Sequence, residues 1–200
     1  MRPLPDNVRR MLRALASCRA RVYKLTPPIT VRFLNAGHGF HFTLSDASGV
    51  VYLDVMGRHP RVGSFPSALA RAQWMETSWG RLPVVSIEDL ILLKKTRRLS
   101  DYEVISNLTR LKLESEPRPA KRLLKWAVRN CFQAEQRLFY LGRLGMTRDL
   151  ETCRREIGAE IARLQARDVR YWRPKLSQLR MLSRSGKLLS QGFPVSKLCP

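Results

Sequence analysis

The chain has 200 residues, 44% of them hydrophobic and 26% charged, which is long enough for one sizeable core or a core with a helical appendix. It carries 37 basic residues against 16 acidic ones, a net charge of +21, and has no run of the roughly 18 apolar residues that a membrane span requires. Cys18, Cys131, Cys153 and Cys199 are scattered, with no Cys-x-x-Cys pair and no histidine at a ligand spacing. A disulfide frame or zinc site is therefore not expected, and with no apolar leader at the N-terminus the expected setting is a reducing cytoplasm.

In chain order, Asp6 is the expected N-cap of an amphipathic helix over residues 7–19, with Val8, Met11, Leu12 and Leu15 at helical spacing. Pro27-Pro28 breaks the chain, and residues 29–34 read as a short extended segment. Residues 40–45 place Phe40, Phe42 and Leu44 on one face, and residues 50–56 do the same for Val51, Leu53 and Val55. The turn Asp46-Ala47-Ser48-Gly49 between them makes a hairpin. A loop from Gly57 to Gly63 precedes an expected helix over residues 65–76, and a short strand follows at residues 82–85.

Ser86-Ile87-Glu88-Asp89 and Ser100-Asp101-Tyr102-Glu103 each have the form of a capping box opening a helix. Leu90, Ile91 and Leu93, then Val104, Ile105, Leu108 and Leu111, form the expected buried stripes. Glu114 to Pro119 is the one linker. Beyond it the pattern is helical: residues 120–143 with a break between 130 and 134, then a helix opening near Thr147 with Leu150, Cys153, Ile157, Ile161 and Leu164 as its stripe. A last short helix is expected to start at Pro174, and a frayed basic tail from Ser183.

Several of these segments carry a resemblance. Val50-Val51-Tyr52-Leu53-Asp54-Val55-Met56-Gly57 is similar to the strand bearing the third active-site carboxylate of nucleotidyltransferase-like palm domains, the kind found in toxin–antitoxin systems. Phe65, Ala68, Arg71 and Ala72 look like the helix after it, Leu82 to Ile91 like the following strand and helix start, and Lys94 to Tyr102 like a Lys…Arg…Asp helix hairpin. Asp6 to Leu12 resembles the helix that follows the paired-aspartate strand. The resemblance covers about residues 6–110.

It implies two Mg²⁺ ions held by three carboxylates to position a nucleotide phosphate. Two carboxylates come from an Asp-x-Asp strand, because a period of two sets both on one face. Asp54 matches the third, as catalytic and metal residue: it shares a face with Tyr52 and Met56, opposite Val51, Leu53 and Val55. Lys94, Lys95 and Arg98 become candidates for binding phosphate, with Asp101 orienting Arg98. The Asp-x-Asp pair itself is absent, since Asp6 is the only acid before the first helix and no Asp-x-Asp or Glu-x-Asp occurs. Either a longer gene product supplies the pair, or this is a degenerate member without transfer activity of its own.

Each candidate has a plainer reading. Asp54 can be a solvated strand carboxylate, and Lys94, Lys95, Arg98 and Asp101 an ordinary ion-pair cluster. His38 and His41 read as surface residues of a hairpin turn, and His59, between Arg58 and Arg61, as part of a solvated loop. Trp126, Tyr140, Tyr171 and Trp172 interleave with arginines and lysines, which suits either base stacking or a core stripe flanked by snorkelling cations.

The net charge concentrates polyanions such as nucleic acid. However, 28 of the 37 basic residues are Arg, a bias that GC-rich coding DNA produces unaided, and no block of five or six like charges occurs.

The expected fold is α+β: a partial palm sheet, mixed and with packed helices, over residues 1–112, a helical region over 120–182, and a flexible basic tail over 183–200. A sheet lacking strands exposes an edge, which invites a partner subunit or self-association. The expected function is that of a nucleotidyltransferase-like protein without transfer activity alone, as a toxin–antitoxin or defence-related component. The alternative is a basic nucleic-acid-binding module that keeps the palm as scaffold.

Overall fold

The computed structural model describes residues 2–46, 49–78 and 80–199, so the tip of the expected turn, Ala47-Ser48, lies outside the described residues. The fold is α+β and divides into two compact units, Met1–Ser67 with Arg173–Pro200, and Ala68–Trp172. No helix among the described residues is long and apolar enough to cross a membrane.

The first unit opens with α1, Pro5–Ser17. Pro5 stands at the first helical turn, where a missing N–H removes nothing, so the helix begins before Asp6, which sits inside that turn instead of capping it. Val8, Leu12 and Leu15 are its buried stripe. The helix ends in a Schellman closure, Arg19 N–H to Ala16 O and Ala20 N–H to Leu15 O, both 2.9 Å. Arg19 takes the left-handed position with φ 53°, where glycine is usual.

Residues 29–34, expected to be extended, instead contain a short helix, α2, Val31–Asn35. Thr30 caps it by accepting from the Phe33 amide, and Phe33 and Leu34 are buried by it. Capping and burial outweigh the weak β propensity of this stretch.

Strands β1 (Arg21–Val22), β2 (Gly39–Asp46) and β3 (Gly49–Met56) form an antiparallel sheet in that order. Phe40 lies opposite Val55 and Phe42 opposite Leu53. Phe40 and Phe42 are fully buried against the α1 stripe, Ala20, Val22 and Leu34, and each such side chain contributes about 1.5–3 kcal/mol. The apolar cover reaches only to Val55, so Val51 is 63% exposed although it shares that face. At the end of β3, a Cβ on Gly57 would stand 2.7 Å from the Leu34 carbonyl oxygen. Only glycine allows that approach to α2.

The C-terminal segment, expected to be frayed, is laid along β1. The Val22 amide donates to Phe193 O (3.0 Å), Gly192 N–H to Val22 O (2.7 Å) and Val195 N–H to Ala20 O (3.0 Å). Leu189 bridges Thr26, and a 3-10 turn, Val195–Leu198, buries Val195 completely. The unpaired edge of β1 and an apolar pocket for Val195 together hold this stretch.

Between the sheets, the expected helix over residues 65–76 stops early. Helix α3 is Phe65–Ala70, and Gln73–Thr77 is strand β4, paired antiparallel with β5, Gly80–Val84. The turn closes where Arg71 N–H and Ala72 N–H bond Ala68 O and Leu69 O, and Trp74 and Thr77 favour the strand. Among the described residues the strands thus form two antiparallel sheets in place of one mixed sheet.

The rest of the second unit is helical: α4 (Ile87–Lys94), α5 (Ser100–Glu114), α6 (Lys121–Asn130), α7 (Ala134–Arg143) and α8 (Leu150–Arg184), whose residues up to Trp172 belong here. Ser86 caps α4 by accepting from the Asp89 amide, as expected. Ser100 does not cap α5; it is helical, Leu99 holds the N-cap position, and no side chain bonds there.

Ile91, Tyr102, Ile105, Phe132, Cys153 and Ile157 form one core cluster, and Leu113, Leu124, Ala127, Cys131 and Tyr140 a second. Val104 and Leu111, placed in the stripe, are exposed. Pro174 does not start a new helix. It lies inside α8, which runs 35 residues without a stop.

The Gly57 contact gives a direct test. Gly57→Ala forces a methyl group against backbone that cannot rotate away, and urea unfolding should show a loss of about 1–3 kcal/mol with the helical signal otherwise intact.

Candidate functional site

The residues singled out by sequence fall into two clusters, one in each unit. In the first unit, the β2–β3 register sets His41 directly across from Asp54 on the face away from Phe40 and Phe42. His41 Nδ1 lies 2.7 Å from Asp54 Oδ1, and the Tyr23 hydroxyl donates to the same oxygen at 2.8 Å. Tyr23 is drawn there by the bond from its amide to His41 O, which extends the β1–β2 pairing. Its ring meets those of His41 and Tyr52 edge-on, at 5.7 and 5.0 Å, and Lys24 Nζ lies 4.8 Å from its centroid.

Partial burial would raise the Asp54 pKa. The hydrogen bonds from His41 and Tyr23, then the charges of His41 and Lys24, outweigh it and hold the carboxyl below its ordinary value. The side chain is 56% exposed, so the cluster contributes only about 0–1 kcal/mol to stability.

This donor set does not fit a pair of Mg²⁺ ions, which need several oxygen ligands gathered at one point. Asp54 supplies a single carboxylate already engaged by a phenol and an imidazole. Among the described residues no group of three acidic, histidine or cysteine side chains stands ready for a metal.

In the second unit, the turn between α4 and α5 gathers Lys94, Arg98 and Asp101. Lys94 Nζ lies 3.3 Å from Asp101 Oδ1, and Arg98 Nε 3.3 Å from Oδ2. The Thr96 hydroxyl donates to Asp101 Oδ2, and the Tyr102 hydroxyl donates to Thr96 O at 2.6 Å. Burial would raise the Asp101 pKa, but the bonds from Thr96 and Lys94 and the charges of Arg98 and Lys94 hold it down. Asp101 is 5% exposed, so it acts as the fixed centre of this turn. The two cations that were candidates for phosphate are turned toward it.

Lys95 is not part of this group. Burial holds its pKa below the usual lysine value, and the charges acting on it are those of Glu160 and Arg137. Arg137 is itself buried, donating to Cys131 O (2.8 Å) and pairing with Glu160 at 3.1 Å.

Three further placements differ from, or add to, the sequence reading. His38 is 1% exposed and shares a 2.7 Å hydrogen bond with Gln178, so it is a core residue and not a surface one. Burial lowers its pKa, against the bond to Gln178 and together with the charge of Lys175. Arg71 grips the buried Asp89 with Nε at 3.1 Å and Nη2 at 2.8 Å from Oδ2, joining two of the motifs that carry the resemblance. Trp126 and Tyr140 belong to the core clusters, as the plainer reading of the aromatic residues expects.

Most of the positive charge lies elsewhere. On α8, Arg163, Arg167 and Arg170 follow at intervals of four and three, so they share a face. All three are exposed, and none forms an ion pair among the described residues. The glutamates of that stretch are committed, Glu156 to Arg148 and Glu160 to Arg137. Compared with known proteins, the chain matches no family model, no curated protein and no solved structure.

The Asp101 cluster predicts a pH dependence. A carboxyl held below its ordinary value of 3.8 contributes stability that is present above about pH 4 and is lost as pH falls through the folded-state value. Asp101→Asn should therefore be less stable than wild type by about 1–3 kcal/mol at neutral pH. In urea titrations the gap should stay constant down to about pH 4 and close below it.

Proposed function

We propose that the chain is a nucleotidyltransferase-like protein that does not transfer nucleotides on its own and acts with a partner, as a toxin–antitoxin or defence-related component. One observation carries this reading. Asp54, on the strand that resembles the palm's third-carboxylate strand, is held by Tyr23 and His41, and among the described residues it belongs to no group of acidic, histidine or cysteine side chains that could hold a metal. Phosphoryl transfer of this kind depends on metal ions that neutralise charge on the phosphate, and one engaged carboxylate is too few to anchor them. A partner suits the outer edge of β3, where Val50, Val51 and Tyr52 are 55%, 63% and 66% exposed and no strand pairs among the described residues.

A second reading, nucleic-acid binding with the palm as scaffold, is favoured by the exposed arginine row on α8. Three uncommitted guanidiniums on one helix face suit a row of phosphates, and their effect is salt-dependent because each contact releases counterions.

Two measurements separate the readings. The purified chain with Mg²⁺ and labelled nucleoside triphosphates should move no label onto RNA, protein or a small acceptor, and Asp54→Asn should behave identically; transfer by the wild type that Asp54→Asn abolishes would overturn the first reading. For the second, DNA or RNA binding should weaken steeply as salt rises. Replacing Arg163, Arg167 and Arg170 together by Ala should reduce the slope of log K against log salt by about 2–3. An unchanged slope would remove α8 from the interface.

A further inference from the structure

Helix α6 is held firmly from its inner side. Leu124, Ala127 and Asn130 are buried there, and Trp126 packs against the core clusters. The carbonyls at its end are taken: Thr109 Oγ1 donates to Asn130 O at 3.1 Å and Arg137 Nε to Cys131 O at 2.8 Å, while Asn130 Nδ2 donates to Trp126 O at 2.9 Å. The outer side is different. Lys121, Arg122, Lys125 and Arg129 follow at intervals of three and four, so they share a face. All four are exposed, and none forms an ion pair among the described residues. The helix itself contains no acidic residue.

This face breaks two local rules of helix stability. Lys121, Lys125 and Arg129 stand four residues apart, and like charges at that spacing oppose each other. Lys121 and Arg122 sit in the first turn, at the positive end of the helix dipole, where carboxylates are favourable and cations are not. No acid stands in that turn, and Ala120 at the N-cap position offers no side-chain bond. The helix folds in spite of its outer face, held by its inner one. Local conflicts of this kind are expected where a surface serves a ligand. An anion laid along the face relieves both of them.

We propose that the outer face of α6 binds the phosphate backbone of duplex nucleic acid without regard to sequence. The proposal rests on the nucleic-acid reading above and adds to the α8 row a second contact and the form of the ligand. From Lys121 to Arg129 the helix rises about 12 Å, at 1.5 Å per residue. One strand of a duplex presents a phosphate about every 3.4 Å along its axis, so about three or four phosphates lie along the four cations. Single strands are the poorer match, because their binding sites set aromatic rings among the cations to stack the bases. The one ring on α6, that of Trp126, is turned to the core. The amide side chain that could read an adenine edge, Asn130, is buried as well. What remains outside is charge alone, which suits a backbone.

Fluorescence anisotropy of the full chain tests this, with short DNA and RNA duplexes of unrelated sequence, and their separated strands, over a series of salt concentrations. Each duplex should bind more tightly than its own strands, and unrelated sequences should bind alike; the DNA and RNA arms tell which duplex supplies the backbone. Replacing Lys121, Arg122, Lys125 and Arg129 together by Ala should lower the slope of log K against log salt by about 3–4. Lys121→Arg with Lys125→Arg, which keeps every charge, should bind as wild type does. Lys121→Glu with Arg122→Glu should weaken duplex binding while its Tm equals or exceeds that of wild type, because carboxylates suit the first turn. A loss of binding is then not a loss of folding. An unchanged slope in the fourfold Ala variant, or single strands that bind more tightly than their duplexes, overturns the proposal and leaves the nucleic-acid reading standing. No binding of any nucleic acid at low salt overturns both.

Discussion

The register of the β2–β3 hairpin, with Phe42 opposite Leu53 and His41 opposite Asp54, is the constraint from which most of the first unit follows. Side chains alternate between faces, so a slip of one residue would send Phe40 and Phe42 into solvent and His41 and Thr43 into the core. The two phenylalanines, fully buried against α1 and α2, make that slip prohibitive. The same alternation collects His41, Tyr52 and Asp54 on the opposite face, where Tyr23 joins them. The apolar core and the polar cluster are two outcomes of one pairing.

The chemistry of the two clusters differs from that of a phosphate-transfer centre in a specific way. Such a centre holds anions close together so that only a cation relieves their repulsion, and their pKa values are raised until it arrives. Asp54 and Asp101 are both surrounded by donors and cations, and both are held below the ordinary carboxylate value. Their charge is already compensated within the chain. Uncompensated charge is found on exposed arginines such as those of α8.

Much of this was readable from periodicity and punctuation. The stripe of Val8, Leu12 and Leu15, the Ser86 cap, the break near residues 130–134 and the core face of α8 rest on local rules, and the structure follows them. The His41–Asp54 contact was also within reach: a hairpin turning between Asp46 and Gly49 pairs residue 41 with residue 54 by counting. Elsewhere tertiary contacts decided the outcome. Thr30 looked like part of an extended segment until the burial of Phe33 and Leu34 made it a helix cap. His38 looked like a turn residue because its partner, Gln178, is 140 positions away. Pro174 reads as a helix start, but α8 continues through it. The Tyr23 contact had no local signal, since nothing in the sequence of residues 20–26 announces a bond to Asp54. The resemblance to palm domains rests on the sequence motifs alone, and the bidentate Arg71–Asp89 pair gives two of them a structural task.

The first unit draws residues from both ends of the chain, while the second is one uninterrupted stretch. A growing polypeptide emerging from the ribosome therefore has all of Ala68–Trp172 in hand before Gly192, Phe193 and Val195 exist to complete the edge of β1. Contacts between Val22 and Phe193 close a loop of the whole intervening chain, and such closures are slow compared with local helix pairing. The unit that begins first is thus the one that finishes last. Until then its sheet waits with an open border, the interval in which a nascent chain is most exposed to mispairing and most dependent on chaperones.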